Sequence, residues 1–238
     1  MSKNNVPGWI ALDGSDVNLK INLQNNHYGF LKNQNALPLA QSEFELACKN
    51  YPIVFIAANA EGTLLQSVAL LGFNQGQNLF VHDDQSWEPH HYIPAYAKRH
   101  PFQLGVDAQQ QEPLVFVEQS YPGLNHKEGL AFFEGIEPSA YLSQLLHALR
   151  TLQVELEQTQ HWIMRLKEKG LLVERSIDLT VGKKTERVGG VWVVDTDKLS
   201  SLTDEELAQM YHNGTLGLIE QHRLSLLNLD TLAKRATA

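Results

Sequence analysis

Proline is distributed very unevenly along this chain. All nine prolines lie at or before Pro138, and the hundred residues that follow contain none. Proline removes a backbone donor and breaks the interior of helices and of central strands. We therefore predict an α+β protein. Its strand-rich N-terminal portion, about 1–137, holds a mixed or antiparallel sheet, and its helical C-terminal portion, about 138–238, holds one long helix and a β-hairpin.

No internal repeat and no low-complexity linker separates these two portions. The chain has 43% hydrophobic and 19% charged residues, which are values typical of globular proteins. Its 238 residues are enough to bury a sizeable core. We therefore expect residues 1–238 to form a single globular unit, with the two portions as subdomains that share a core.

Short apolar runs predict the strands of the N-terminal portion. Ile53–Ala57 is continuously apolar and short enough for a buried strand. Further strand candidates are 64–73, 78–81 and 114–118. Ser42 and Glu45 have the spacing of a capping box, which predicts a short helix that begins there and ends before Pro52.

A leucine stripe predicts one long helix over 138–169. An unbroken helix of that length would extend about 48 Å, whereas a compact chain of this size has a radius of gyration of about 18 Å. The helix therefore breaks near 158–160, crosses the whole molecule, or is covered by a second chain in a homodimer. If no second chain covers the stripe, it packs in the core of the molecule. The stripe consists of Leu142, Leu145, Leu146, Leu149, Leu152, Leu156, Ile163 and Leu166.

Gly170 is the predicted end of this helix, and a hairpin is predicted after it. Apolar and polar residues alternate over 177–181, a turn follows at 182–185, and 191–194 can return as the second strand, with Gly189 and Gly190 forming a bulge or turn. Thr203 and Glu206 form a second capping-box motif, which predicts a helix ending at Gly214. A last helix is predicted from Thr215 into the 230s.

The densest group of metal-capable side chains lies around His82 and Asp84. This pair matches the first two ligands of a two-histidine, one-carboxylate iron site, with His126 or His147 as a distant third ligand. The alternative is a polar turn with exposed histidines, which we favour because a chain with ten histidines produces such matches easily. We therefore predict no metal site.

Other catalytic signatures are missing from the sequence. It contains no Gly-x-Ser-x-Gly motif, no Gly-x-Gly-x-x-Gly motif and no phosphate-binding loop, so we expect no cofactor. Cys48, the only cysteine, is expected to be a small buried hydrophobe rather than a nucleophile, and it excludes an intrachain disulfide.

Charge and hydropathy limit the partners. The net charge of −8 argues against nucleic-acid binding. The N-terminus has no apolar segment typical of a signal peptide, and no run of about 18 apolar residues occurs. We therefore expect a cytoplasmic protein without direct membrane insertion.

Several short blocks in a fixed order make the chain resemble the SapC-like family of bacterial proteins over roughly 27–226. They are 51–55 (YPIVF), 68–72 (VALLG), 78–81 (NLFV), 92–96 (YIPAY), 99–102 (RHPF), 170–172 (GLL) and 192–195 (WVVD), followed by Leu199. The family commonly has Asp where this chain has His82. It also has Arg-Arg-Tyr-Pro-Phe where this chain has the sequence KRHPF at 98–102.

The resemblance implies an association with bacterial surface-layer loci. Related proteins also occur near outer-membrane TonB-dependent transporters and flavin-dependent halogenase-like enzymes. The family has no established catalytic residues, so none is assigned here. It differs from the peptide-transporter permease of the same name, because that protein must span the membrane.

The patch formed by Tyr92, Tyr96, Lys98 and Arg99 is the best candidate binding site. An arginine fork binds carboxylate or phosphate in a bidentate manner, and aromatic rings stack on planar ligands. The first 137 residues carry 7 Lys and Arg against 14 Asp and Glu, so paired cations are locally unusual there. The alternative is an ordinary loop whose tyrosines are half-buried and whose Arg99 pairs with a local carboxylate.

Because Pro94 and Pro101 both disfavour helix in the residue before them, we expect 92–102 to be an extended loop or edge strand that Phe102 anchors in the core. The sequence thus favours a non-enzymatic accessory protein that recognises a protein or peptide partner in a surface-layer or outer-membrane uptake system. The alternative is a small-molecule enzyme, such as a metal-dependent oxygenase that uses His82 and Asp84.

Overall fold

A computed structural model describes residues 6–106, 112–181 and 184–236, without the side chains of 178–188. The strands are β1 (Trp9–Ala11), β2 (Lys20–Ile21), β3 (Ala36–Pro38), β4 (Ile53–Ala57), β5 (Leu65–Leu70), β6 (Phe102–Val106), β7 (Pro113–Glu118), β8 (Leu124–Asn125), β9 (Leu130–Ala131), β10 (Phe133–Glu134), β11 (Glu137–Pro138), β12 (Leu172–Val181) and β13 (Lys184–Val194). The α-helices are α1 (Phe44–Ala47), α2 (Ala95–Lys98), α3 (Ala140–Glu168), α4 (Thr196–Ser200), α5 (Asp204–His212), α6 (Thr215–Ser225) and α7 (Asn228–Arg235). Short 3-10 helices lie at Gly29–Leu31 and Gln41–Glu43.

Two compact units, each made of two chain segments, organise these elements. The first unit contains Met1–Asn26 and Lys98–Val154, and the second contains His27–Ala97 and Glu155–Ala238. The α+β prediction is confirmed, and every described strand pair is antiparallel. The predicted subdomains, about 1–137 and 138–238, stay a prediction.

The first unit has small sheets around an aromatic core. Its strands are ordered β1-β7-β6 in one sheet and β8-β2-β9 in another, and β10 pairs with β11. Phe102 and Phe132 are buried and meet edge-on with ring centroids 6.0 Å apart. Phe102 therefore anchors its segment in a core, as predicted, and it begins the edge strand β6.

The second unit has one five-stranded sheet in the order β12-β13-β4-β5-β3. The strand predicted at Ile53–Ala57 and the C-terminal hairpin are both confirmed, and they join where Trp192 lies opposite Phe55. The hairpin register shifts between Arg175 and Ile177, across from the predicted bulge at Gly189 and Gly190. Two residues of the predicted turn, 182 and 183, lie outside the described residues.

Helix α3 is unbroken, so the alternative of a break near 158–160 is wrong. At 1.5 Å per residue it is about 43 Å long. Its leucine stripe supplies Leu142 and Leu149 to the core of the first unit, and Leu166 to the core of the second. The end at Gly170 is confirmed: Gly170 has a φ of 68°, and the Leu171 N–H donates to the Leu166 carbonyl at 3.0 Å. A homodimer through this helix stays a prediction.

Side-chain hydrogen bonds to the backbone explain two wrong element predictions. Residues 78–81 form no strand, because the Asn78 amide bonds the Leu31 carbonyl and the Phe80 N–H and holds a turn. The last helix is broken after Ser225. There the Ser225 hydroxyl donates to the His222 carbonyl and accepts the Ile53 N–H, while Asn228 donates to the Tyr51 carbonyl.

The segment 92–102 is not extended throughout. Pro94 lies immediately before α2, and the missing N–H of a proline costs nothing at the start of a helix. The Ala97 N–H donates to the Pro94 carbonyl at 2.9 Å. The bias against helix acts on the residue before a proline, so it does not reach Ala95. The part of the prediction that covered 95–98 is therefore wrong.

Candidate functional site

A half-open groove of about 280 Å³ lies in the second unit. We call it the Tyr96 groove. Its lining mixes apolar, amide, hydroxyl and carboxylate groups, a composition suited to a polar organic ligand or to a peptide side chain. The lining residues are Pro38, Leu39, Gln66, Ser67, Tyr96, Leu156, Glu157 and Gln160.

Strands β3 and β5 form one wall of the Tyr96 groove. The Leu39 N–H donates to the Ser67 carbonyl at 3.1 Å, and the Ser67 hydroxyl donates back to the Leu39 carbonyl. Both residues are buried. Helix α3 supplies another wall through Leu156, Glu157 and Gln160, which share one face of the helix.

Strand β3 is also the edge of the five-stranded sheet. It pairs with β5 alone, and the Leu71 N–H bonds the Asn35 carbonyl at 2.7 Å. Because ladder bonds alternate along an antiparallel strand, the backbone of Ala36 and the carbonyl of Pro38 are directed away from β5. Pro38 itself lines the groove, so the C-terminal end of this strand edge adjoins it.

A buried carboxyl group positions Tyr96. Glu43 is only 5% exposed and accepts three hydrogen bonds: from the Tyr92 hydroxyl at 2.9 Å, the Ala95 N–H at 2.7 Å and the Ala40 N–H at 2.9 Å. It thereby fixes the first residue of α2, and Tyr96 is the next residue along. Sequence reasoning missed Glu43, although it lies on the same helical face as the buried Ala47, four residues on.

The predicted patch divides between the two units. Tyr92 and Tyr96 belong to the second unit, and Lys98 and Arg99 belong to the first. The Tyr92 hydroxyl is bonded to Glu43, and burial, followed by the Glu43 charge, raises the pKa of Tyr92. Lys98 is exposed, and Arg99 is half-buried with its carbonyl bonded to the Phe102 N–H at 2.8 Å. Tyr96 lines the groove, and a ligand site that uses all four residues stays a prediction.

The metal candidates His82 and Asp84 have local partners. His82 Nε2 lies 3.3 Å from Glu88 Oε2, and the same Glu88 oxygen lies 2.7 Å from Arg235 Nη1, which lowers the pKa of Glu88. Asp84 accepts from the Ser86 hydroxyl at 2.6 Å and from its N–H at 2.9 Å. Among the described residues, no three His, Cys, Asp or Glu side chains are grouped to hold a metal ion.

Cys48 is half-buried against the core of the second unit, and its thiol donates to the Glu45 carbonyl at 3.4 Å. Burial raises the pKa of this thiol. A nucleophilic cysteine needs the opposite shift, so the environment of Cys48 is that of a packing residue.

Comparison with known proteins identifies the family of this chain. No curated protein and no solved structure matches it. In 6–106, 112–181 and 184–236, no helix is long and apolar enough to cross a membrane. The sequence profile of the SapC family matches residues 17–232, which is most of the 238 residues and extends the resemblance at both ends. The chain therefore belongs to the SapC family.

Proposed function

We propose that this chain is a non-enzymatic binding protein that recognises a peptide or protein partner at the Tyr96 groove. It serves a bacterial surface-layer or outer-membrane uptake system from the cytoplasmic side, the setting that SapC membership suggests. The observation that carries the proposal is that the groove lies beside the outer edge of β3.

An extended peptide is the ligand that suits this arrangement. The outer edge of β3 offers one N–H and two carbonyls, from Ala36 and Pro38, which a peptide can bond as an added strand. Each such bond contributes only about 1 kcal/mol, so the backbone alone gives weak binding. A side chain of the peptide would then enter the groove and contact Tyr96, which supplies aromatic contact area and selectivity.

Site-specific crosslinking tests this proposal directly. A photoreactive amino acid at position 160, in the groove, should capture the partner in cells of the native host, and one at 161 should not. His161 is exposed and adjacent on α3 but does not line the groove. The captured partner is then identified by mass spectrometry and purified.

Affinity measurements with that partner complete the test. Gln160→Trp fills the groove and should weaken binding by about tenfold or more, whereas the matched variant His161→Trp should bind like the wild type. Equal affinity of the wild type and Gln160→Trp for the purified partner would show that the groove is not the recognition site.

A further inference from the structure

A second cavity lies in the same unit, between α3, α5 and α6. It has a volume of about 130 Å³ and is lined by Trp162, Arg165, Leu166, Lys169, Met210 and Thr215, among others. We call it the Arg165 cavity. The lining residues from the end of α3 lie roughly opposite to Leu156, Glu157 and Gln160, since each residue advances the helix by about 100°. They are Trp162, Arg165, Leu166 and Lys169. The two cavities are therefore separate.

Two cationic side chains, Arg165 and Lys169, line this cavity one helical turn apart. Arg165 and Lys169 are exposed, and within the described part of the chain neither side chain makes an ion pair or a hydrogen bond. The carboxylate in the lining, Glu206, instead accepts from the Thr203 N–H and hydroxyl, both at 3.0 Å. These bonds to Thr203, with a smaller contribution from Lys169, lower the pKa of Glu206.

The inner wall of the cavity is apolar. Trp162, Leu166 and Met210 are 3%, 2% and 5% exposed. The Trp162 ring meets Phe44 and Phe55 edge-on, with centroids 5.9 and 6.0 Å away. Its buried indole N–H has no acceptor among the residues that the structure describes. This wall therefore offers packing surface to an apolar group of a ligand.

The N-terminus of α6 adds positive potential. This helix has eleven residues and begins at Thr215, which lines the cavity and whose N–H donates to Asn213 Oδ1 at 3.0 Å. The aligned peptide dipoles place a partial positive charge at such an end. The cavity thus combines two cationic side chains and a helix N-terminus with an apolar wall.

We propose that the Arg165 cavity binds a carboxylate that carries a short apolar chain. The carboxylate bonds Arg165 and Lys169, and the chain packs against Leu166 and Met210. A volume of 130 Å³ accommodates about four water-sized groups at roughly 30 Å³ each, the size of a short branched alkyl chain. Either a free short-chain acid or the C-terminus of a peptide with an apolar last residue carries this chemistry.

The indole N–H resonances test the proposal at the site itself. The chain has four tryptophans, and Trp162→Phe assigns the Trp162 signal in a proton–nitrogen spectrum. Titration with 3-methylbutanoate should move that signal, and the uncharged isostere 3-methylbutanamide should not. Peptides ending in valine, with a free or an amidated C-terminus, form the second arm. A response to the free acid alone identifies a metabolite site, and tighter binding of the free peptide identifies a C-terminus site.

Charge variants on α3 give the affinity test. The double variant Arg165→Gln, Lys169→Gln should bind 3-methylbutanoate about ten- to a hundredfold more weakly, the loss expected for charge-assisted hydrogen bonds. Lys198→Gln removes an exposed cation that does not line the cavity and should bind normally.

Two results would overturn the proposal: an unmoved Trp162 signal with every carboxylate, or equal binding of acid and amide. Gln160→Trp should leave 3-methylbutanoate binding unchanged, so this proposal and that for the Tyr96 groove fail independently.

Discussion

Two segments of the second unit carry the same sequence motif and use it differently. Thr203-x-x-Glu206 forms a capping box: the Thr203 hydroxyl accepts the Glu206 N–H, and Glu206 accepts the Thr203 N–H. Ser42-x-x-Glu45 does not, so that predicted box is wrong. There the 3-10 helix begins at Gln41, Glu43 accepts the Ala40 N–H, and the Ser42 hydroxyl donates to Glu155 at 3.0 Å.

Ser42 and Glu45 are exposed, as Thr203 is, so the two segments differ in the partners that compete for the residues around the motif rather than in the exposure of the motif. Around Thr203, and among the residues that the structure describes, the hydrogen bonds of the Thr203 and Glu206 side chains stay within the motif. Around Ser42 the chain packs against distant segments. The Gln41 N–H donates to Thr159 of α3 at 2.8 Å, and Glu43 also binds Tyr92 and Ala95. Partners more than forty residues away replace the motif.

The largest effect should follow Glu43→Ala. This change leaves three donors, Tyr92, Ala95 and Ala40, without their buried acceptor, and we expect the free energy of unfolding to fall by more than about 3 kcal/mol. Urea denaturation followed by tryptophan fluorescence measures the loss. Glu45→Ala, two residues away and exposed, is the control and should cost under about 0.5 kcal/mol. Equal losses would show that Glu43 is not the centre of the local packing.

His222 extends the comparison to a second buried group with distant partners. Its Nε2 accepts the Val194 N–H at 3.1 Å, its ring stacks on Phe55, and burial lowers its pKa from 6.5 to about 4. Between these values the unfolded chain binds a proton that the native chain does not. The free energy of unfolding should therefore fall by about 3 kcal/mol as the pH drops through this range.

Comparison with His222→Gln isolates this effect from the other titrating groups. The variant is expected to be less stable at neutral pH. Its free energy of unfolding should change less with pH, because between pH 6.5 and 4 it takes up about one proton fewer on unfolding than the wild type does. Parallel pH profiles for the wild type and the variant would mean that His222 does not titrate abnormally.

Thr203→Ala should have an intermediate effect of about 1 kcal/mol, the usual contribution of an N-cap side chain. The loss should be local, because the box bonds only residues within its own turn. Amide hydrogen exchange in the first turn of α5 measures it, since the Glu206 N–H loses its acceptor at 3.3 Å. Unchanged protection of that amide would contradict the capping role.

Ser42→Ala should have the smallest effect, under about 0.5 kcal/mol, because it removes only the exposed bond to Glu155. The matched pair Ser42→Ala and Thr203→Ala changes one hydroxyl in the same motif at two places. If Ser42→Ala lowered the free energy of unfolding as much as Thr203→Ala, Ser42 would act as a helix cap after all, contrary to the structure.

The fold was predictable where local pattern and burial agree. The apolar run Ile53–Ala57 forms β4, the alternation after Gly170 forms β12, and the leucine stripe forms α3. The errors at 78–81 and after Ser225 arise where Asn and Ser side chains bond the backbone in place of a ladder or a helical turn. Hydrophobic periodicity gives no information about this competition between side chains and backbone groups for hydrogen bonds.

The candidate site was less predictable, because its residues are far apart in the chain. Tyr96 was singled out for its neighbours Lys98 and Arg99, yet it lines a groove with Pro38 and Gln160. Nothing in a sequence window that contains Tyr96 indicates these contacts. Glu43 was missed for the same reason, since its charge suggests an exposed position and only its three donors explain its burial.

Elements whose hydrogen bonds close within a few residues, or between adjacent strands, follow from the local sequence. The end of α3 at Gly170, the Thr203 cap and the β12–β13 hairpin are of this kind, because backbone preference and apolar spacing act at short range. The positions of Glu43, the Tyr96 groove and the Arg165 cavity follow instead from the packing of distant segments. Each of these depends on donors, acceptors and apolar walls that come together from segments dozens of residues apart, once burial removes water as the competing partner.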